Sequence, residues 1–233
     1  MKVFDVKSLL DKESQIFGGK IGSGKTEIAV NIAIKMSEQN IPNVLFDMDI
    51  VKPYVRIRDI KDKILMYDDI EIVSPPDVTR KIDLPILPSH IISKLMEKDK
   101  QKILDIGGDP YGAGAIAQFK NLFPEESYNF FFVVNTRRPE TSNTKEIIEA
   151  MTQIQDASKL TINALVFNTH LRWETTEQVI RNEYKIVKDV SEETKIPIYF
   201  TCVDEKHQNI VRDLNLPILP LKLFINPLPR LGE

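Results

Sequence analysis

Gln15-Ile-Phe-Gly-Gly-Lys-Ile-Gly-Ser-Gly-Lys-Thr-Glu-Ile-Ala-Val30 contains Gly19-x4-Gly24-Lys25-Thr26, the spacing of a phosphate-wrapping loop. Glycines let consecutive backbone N–H groups curl round anionic oxygens with no Cβ in the way. A lysine at position 25 can lie against the β and γ phosphates, and a threonine hydroxyl at position 26 can ligate Mg²⁺. Ile16 and Phe17 form a short apolar run before the loop. Ile28, Ile32, Ala33 and Met36 recur at helical spacing after it. The order strand, glycine loop, helix predicts a helix over 27–35 whose positive N-terminal end faces the phosphates.

Working outward, short β-rich runs alternate with helical patterns. Strands are predicted at 43–48, 70–73, 102–106, 129–135, 161–168 and 196–202, and helices at 88–98, 114–122, 142–157 and 175–194. Such alternation predicts an α/β fold, a mainly parallel twisted sheet with helices on both faces. Ligands of such sheets bind beyond the carboxyl ends of the strands. The acidic candidates lie there. In Val44-Leu-Phe-Asp-Met-Asp-Ile50, alternation puts Asp47 and Asp49 on one side of the chain. In Lys102-Ile-Leu-Asp-Ile-Gly-Gly108, an apolar strand ends in Asp105, positioned to reach Mg²⁺. More than half of the nine glycines fall in the first loop and in the stretch 107–114, which gives the second loop freedom to move. Leu165-Val-Phe-Asn168 delivers an amide to another strand end, with Asn135 as its rival. Arg137 and Arg138 follow the strand that ends near Asn135.

The loop Gly19-Lys-Ile-Gly-Ser-Gly-Lys-Thr26, with its extra Lys20, resembles the deviant Walker A motif of the MinD/ParA/CobB group of P-loop ATPases, of the SIMIBI class. The resemblance runs from this loop to Asn168. It implies a P-loop nucleoside-triphosphatase with ATP and Mg²⁺ as cofactors. It also implies nucleotide contacts from Gly19, Lys20, Ile21, Gly22, Ser23, Gly24, Lys25, Thr26 and Glu27, with the amides of Gly22, Ser23 and Gly24 and the Lys25 ammonium at the phosphates. Thr26, Asp47, Asp49 and Asp105 would lie at the metal, with Asp49 orienting the attacking water. Gly108 would sense the γ-phosphate as in a switch II Asp-x-x-Gly, and Asn168 would read adenine. Lys25, Asp49 and Lys20 are the catalytic expectations, Lys20 acting across a nucleotide-dependent homodimer on the other subunit's ATP. A guanine reader would carry an aspartate where Leu171 stands, so ATP is expected over GTP. The last strand departs from the family, with Thr201-Cys-Val-Asp-Glu205 in place of a proline-bearing base loop.

The family implies a nucleotide-timed dimer acting on an unidentified protein partner. An ATP-dependent synthetase or kinase for a small carboxylate metabolite is the alternative within the same fold. With 233 residues, 42% hydrophobic and 28% charged, a single domain over 1–233 with a sizeable core is expected. Its partner- or substrate-facing region is expected around 52–88. A net charge of −3 argues against a nucleic-acid-coating surface. The one cysteine, Cys202, argues against an iron–sulfur cluster shared between subunits. His90, His170 and His207 lack metal-ligand spacing. No signal segment, and no apolar run long enough to span a bilayer, is read from the chain, so a cytoplasmic location is expected. The C-terminal 226–233 is too proline-rich for an amphipathic membrane helix.

Overall fold

In the computed structural model, residues 2–49, 57–64, 66–74, 89–168 and 176–225 are described. Their strands are β1 (Ser14–Gly18), β2 (Asn43–Met48), β3 (Ile70–Val73), β4 (Gln101–Ile106), β5 (Tyr128–Val134), β6 (Ala164–Phe167), β7 (Ile198–Asp204) and β8 (Ile218–Leu221). All pair in parallel, in one eight-stranded sheet of order β3-β2-β4-β1-β5-β6-β7-β8. Parallel neighbours need crossovers, and helices supply them. The helices are α1 (Lys25–Ser37), α2 (Lys61–Ile64), α3 (Ser89–Leu95), α4 (Pro110–Gly114), α5 (Thr144–Ser158) and α6 (Glu177–Thr194), with a 3₁₀ helix over Glu205–Leu214.

Strand alternation divides the core in two. Ile16, Phe46, Leu104, Phe130 and Phe132 pack with α5 and α6, contributing to a cluster with Ile147, Ile154, Ile180 and Val187. Phe17, Leu45, Ile103, Phe131 and Val133 face the other way, onto Ile28, Ile32 and Met36 of α1. Both sheet faces are therefore covered, which is why the strands read as unbroken apolar runs. By the same alternation, Asp47 and Asp105 fall on the α1 face.

Several boundaries differ from the sequence reading. The helix expected at 114–122 begins earlier, as the short α4 at Pro110. Asp109 caps it through Gly112 N and Pro110 stands at the first turn, a strong start signal. The 3₁₀ helix Ala117–Leu122 follows. β7 starts at Ile198, after Pro197, which has no N–H for a ladder. β6 is shorter than 161–168: before it, the Asn163 side chain accepts from Phe130 N and donates to Tyr128 O. β8, the 3₁₀ helices over Ile57–Ile60 and Glu205–Leu214, and α2 are additions to the reading. β8 carries Pro220 at the sheet's rim, where residues 2–4 pair with Ile218. Most of 52–88, His170, Leu171 and the tail 226–233 lie outside the described residues. No helix among the described residues is long and apolar enough to cross a membrane.

Candidate functional site

The fold brings the carboxyl ends of β1, β2, β4, β5 and β6 to one edge, with the N-terminus of α1 rising from the loop after β1. That loop has Gly19, Gly22 and Gly24 at positive φ. Gly24 is the N-cap of α1 at φ 96°, left-handed backbone that costs an L-residue about 1–2 kcal/mol. A Cβ there would also lie 2.2 Å from Asn168 Nδ2. The glycine is required twice, by conformation and by close approach.

Lys25 opens α1. Its side chain is buried under the loop, with Nζ donating to Lys20 O at 3.4 Å. Next to it, Thr26 Oγ1 donates to Asp105 Oδ2 at 2.6 Å. Asp105 stands opposite both Phe17 of β1 and Asp47 of β2 in the sheet register. Burial pushes the Asp105 carboxyl up to about 7. The Lys25 charge and the Thr26 hydrogen bond oppose this rise, and the Asp47 and Asp49 charges add to it. Carboxylates held this close, with the Lys25 ammonium as the charge that lowers the Asp105 pKa, suit a divalent ion between them.

The donor set fits Mg²⁺ on that ground and one more. The second oxygen, Asp105 Oδ1, is buried without a hydrogen-bond partner among the described residues. Thr26 and Asp105 would hold the ion, with Asp47 buried next to Asp105 and Asp49 half-buried just past β2. Among the described residues no group of three or more His, Cys, Asp or Glu side chains could hold a metal. Mg²⁺ typically takes one or two carboxylates together with substrate phosphates and water.

Gly108 closes the opposite wall. A Cβ on it would stand 2.9 Å from Lys25 Nζ and 3.0 Å from Ile21 N. The second glycine loop thus touches the phosphate loop at the lysine itself. Asn168 braces the same loop from β6, its Nδ2 donating to Ser23 O at 2.7 Å. Asn135 is occupied differently. Its Oδ1 accepts from Arg137 N and its carbonyl accepts from Thr141 Oγ1, which shapes the turn after β5.

Three residues sit otherwise than the motif alone suggests. Lys20 Nζ is held within its own chain, 3.4 Å from Glu140 Oε2 and 3.3 Å from Gln153 Oε1. Arg138 lies across the loop, with Nε donating to Gly22 O at 3.0 Å. Glu27 turns away toward the C-terminal segment and accepts from Phe224 N and Ile225 N. Gln153, 133 residues from Lys20, and the 222–225 segment carried no local signal that could have found them. The Arg137-Arg138 pair did, by following a strand end.

No protein-family model matches the chain, and no curated protein matches it in sequence. Solved structures do. FtsY from Mycoplasma mycoides superposes with TM-score 0.54 at 14% identity, over 83% of this chain and 61% of that one. The signal recognition particle receptor FtsY from Elizabethkingia anophelis, in complex with GDP, gives 0.50 at 14% over 82% and 57%. A nucleotide-binding protein from Archaeoglobus fulgidus, in complex with ADP, gives 0.50 at 14% over 89% and 88%. The chain spans about three-fifths of the length of these FtsY structures. At this identity the likeness establishes the fold alone, an α/β domain whose parallel sheet is covered by helices on both faces.

Proposed function

We propose that this chain is a Mg²⁺-dependent ATP-binding and ATP-hydrolysing switch of the MinD/ParA/CobB type. It works in the cytoplasm as a nucleotide-timed dimer that acts on a partner protein. The observation that carries the nucleotide reading is the Thr26–Asp105 hydrogen bond of 2.6 Å beside the buried Lys25, at the mouth of a left-handed glycine loop. The structural neighbours solved with GDP and ADP support it.

The amides of Gly22, Ser23 and Gly24, with Lys25, would cradle the phosphates, the Ser23 N–H leaving the Lys20 carbonyl it meets at 3.1 Å, and Thr26 and Asp105 would hold the magnesium. When bound, Mg²⁺ supplies neutralisation of the charge shared by the phosphate oxygens. Asp49 orients water, Asp47 supports the metal side, and the N–H of Gly108 senses the terminal phosphate. Catalysis of this kind is positioning and electrostatic stabilisation.

Asn168 supports adenine. Its amide orientation follows from the Ser23 carbonyl, because the flipped amide would set two oxygens face to face. Asn168 Oδ1 is then a buried acceptor without a hydrogen-bond partner among the described residues. The 6-amino group of adenine can donate to it; the 6-oxo group of guanine cannot.

The test is a competition titration with Mg-ATP and Mg-GTP on the native chain, Lys25→Ala and Asp49→Ala. ATP should bind more tightly than GTP, and Lys25→Ala should weaken binding and end turnover. Asp49→Ala should keep most of the affinity while hydrolysis falls roughly a hundredfold, the scale of a positioned catalytic group. Equal affinity for the two nucleotides would remove the role given to Asn168. Unchanged ATP binding in Lys25→Ala would remove the P-loop reading.

A second reading, an ATP-dependent synthetase or kinase acting on a small carboxylate metabolite, is favoured by the contacts of Lys20 within its own chain. Turnover that strictly requires such an acid, with no response to nucleotide in particle mass, would select it.

A further inference from the structure

Glu27 is the third residue of α1, after Lys25 and Thr26, with Gly24 as N-cap. A glutamate at that position has a habitual partner. It reaches back to the backbone N–H of the N-cap residue, as in a capping box. Here the N-cap is Gly24, and that N–H belongs to the loop assigned to phosphate. A carboxylate settled there would compete with an anionic ligand for the same donor and the same positive helix end.

The chain holds Glu27 elsewhere. Its two carboxylate oxygens accept from Phe224 N at 2.6 Å and from Ile225 N at 3.1 Å, and the residue is buried. One turn along α1, Asn31 engages Lys222 reciprocally, donating to its carbonyl at 2.9 Å and accepting from its N–H at 2.8 Å. Phe224 and Ile225 also pack against the apolar cluster under α1. The chain leaving β8 is therefore strapped along α1 as far as its first turn, by its main-chain groups, by the packing of Phe224 and Ile225, and by Lys222 Nζ at 3.2 Å from Glu38 Oε1.

We infer that the 222–225 strap is a positioning device for the nucleotide site: its two N–H groups keep the Glu27 carboxylate off the N-cap amide that the phosphates need. The inference rests on the nucleotide reading above. It assigns Glu27 a role through the strap in place of direct nucleotide contact. Because coupling of this kind is reciprocal, bound nucleotide also secures the strap.

The experiment compares Phe224→Pro, which deletes the N–H, with Phe224→Ala, which keeps the N–H and loses the same packing. Both are made in the full chain and titrated with Mg-ATP. Phe224→Pro should bind ATP about tenfold more weakly than Phe224→Ala, the scale of a hydrogen bond to a charged group. Adding Glu27→Ala to Phe224→Pro should recover most of that loss, since the competing carboxylate is gone. In the unmodified protein, ATP should slow hydrogen exchange at the Phe224 and Ile225 amides, a readout that needs no variant to fold. Equal ATP affinity in the two Phe224 variants, or no recovery with Glu27→Ala, overturns the inference, as does exchange at those amides that ignores ATP. A native chain that binds ATP no better than Lys25→Ala overturns the nucleotide reading instead.

Discussion

Asp105 concentrates the tension of this molecule in one side chain. It is buried, faces Asp47 across the register, and is eased by the Lys25 charge and the Thr26 hydroxyl. Its pKa is raised to about 7 from an ordinary value near 3.8, so the folded protein binds a proton that the unfolded chain has released. The sign follows. The stabilising effect of protonation is complete below about pH 4 and is lost as pH rises through about 7. Without metal or nucleotide, the protein should therefore melt at a lower temperature at pH 8 than at pH 5. Asp105→Asn should flatten that dependence and raise the metal-free melting temperature at pH 8. The same variant should lose the stabilisation that Mg-ATP gives the native chain. Melting curves at the two pH values, with and without Mg-ATP, read all three. An Asp105→Asn protein still stabilised by Mg-ATP as strongly as the native chain would move the metal role elsewhere.

At the scale of the element, the two glycine-rich stretches look alike in sequence, yet Gly24 in the first and Gly114 in the second differ in what they require. In the phosphate loop Gly24 combines φ 96° with a neighbour 2.2 Å from any added Cβ. Gly24→Ala should cost at least about 1–2 kcal/mol from the left-handed backbone alone. It should also push Asn168 off Ser23 and abolish ATP binding. Gly114 closes α4 with nothing nearer to an added Cβ than Ala157 O at 3.8 Å. Gly114→Ala should be neutral or stabilise by up to about 1 kcal/mol, because it restricts the unfolded chain at no native cost. Urea denaturation of both variants separates the cases, and comparable destabilisation by the two would contradict this distinction. The stretch 107–114 was read as a loop with freedom to move, whereas its second half is the helix α4. That α4 begins within it was readable in Asp109 and Pro110, but the period of the later apolar residues pointed to 114–122.

For the whole molecule the open quantity is its assembly, and Lys20 reports on it. Within the chain Lys20 makes two contacts, one to a largely exposed Glu140 and one to Gln153. The Lys20 side chain is 13% exposed and Glu140 66%, so the pair keeps one side in water, where an ion pair is worth on the order of 1 kcal/mol. Exchanging these contacts for a second subunit's triphosphate is thus within reach of nucleotide binding. On the dimer proposal, a non-hydrolysable ATP analogue should raise the particle mass from one chain toward two, most clearly in Asp49→Ala. Lys20→Ala should melt close to the native temperature yet lose that mass shift. Light scattering with and without the analogue decides it. A Lys20→Ala protein that dimerises like the parent would leave Lys20 as a tie within its own chain.

Some of this molecule is written locally and some is not. The strand before the loop, the glycines, the Lys-Thr pair, the helix after it and the alternation of six further runs were legible because each rests on neighbours within a few residues. Hydrophobic period and backbone preference act over that range. They also set the sheet faces, so that Asp47 and Asp105 point toward α1. The contacts that make a site of these parts join residues far apart: Thr26 to Asp105 across 79 positions, Ser23 to Asn168 across 145, Glu27 to Phe224 across 197. A carboxylate's partner depends on which strands lie side by side and in what register, which local pattern leaves open. The sequence alone determined a glycine loop of phosphate-wrapping spacing between a strand and a helix, on an α/β scaffold. Only the tertiary structure decided that Lys20 is tied within its own chain, that Asn168 braces the loop it was expected to serve, and that Glu27 belongs to the last strand's exit.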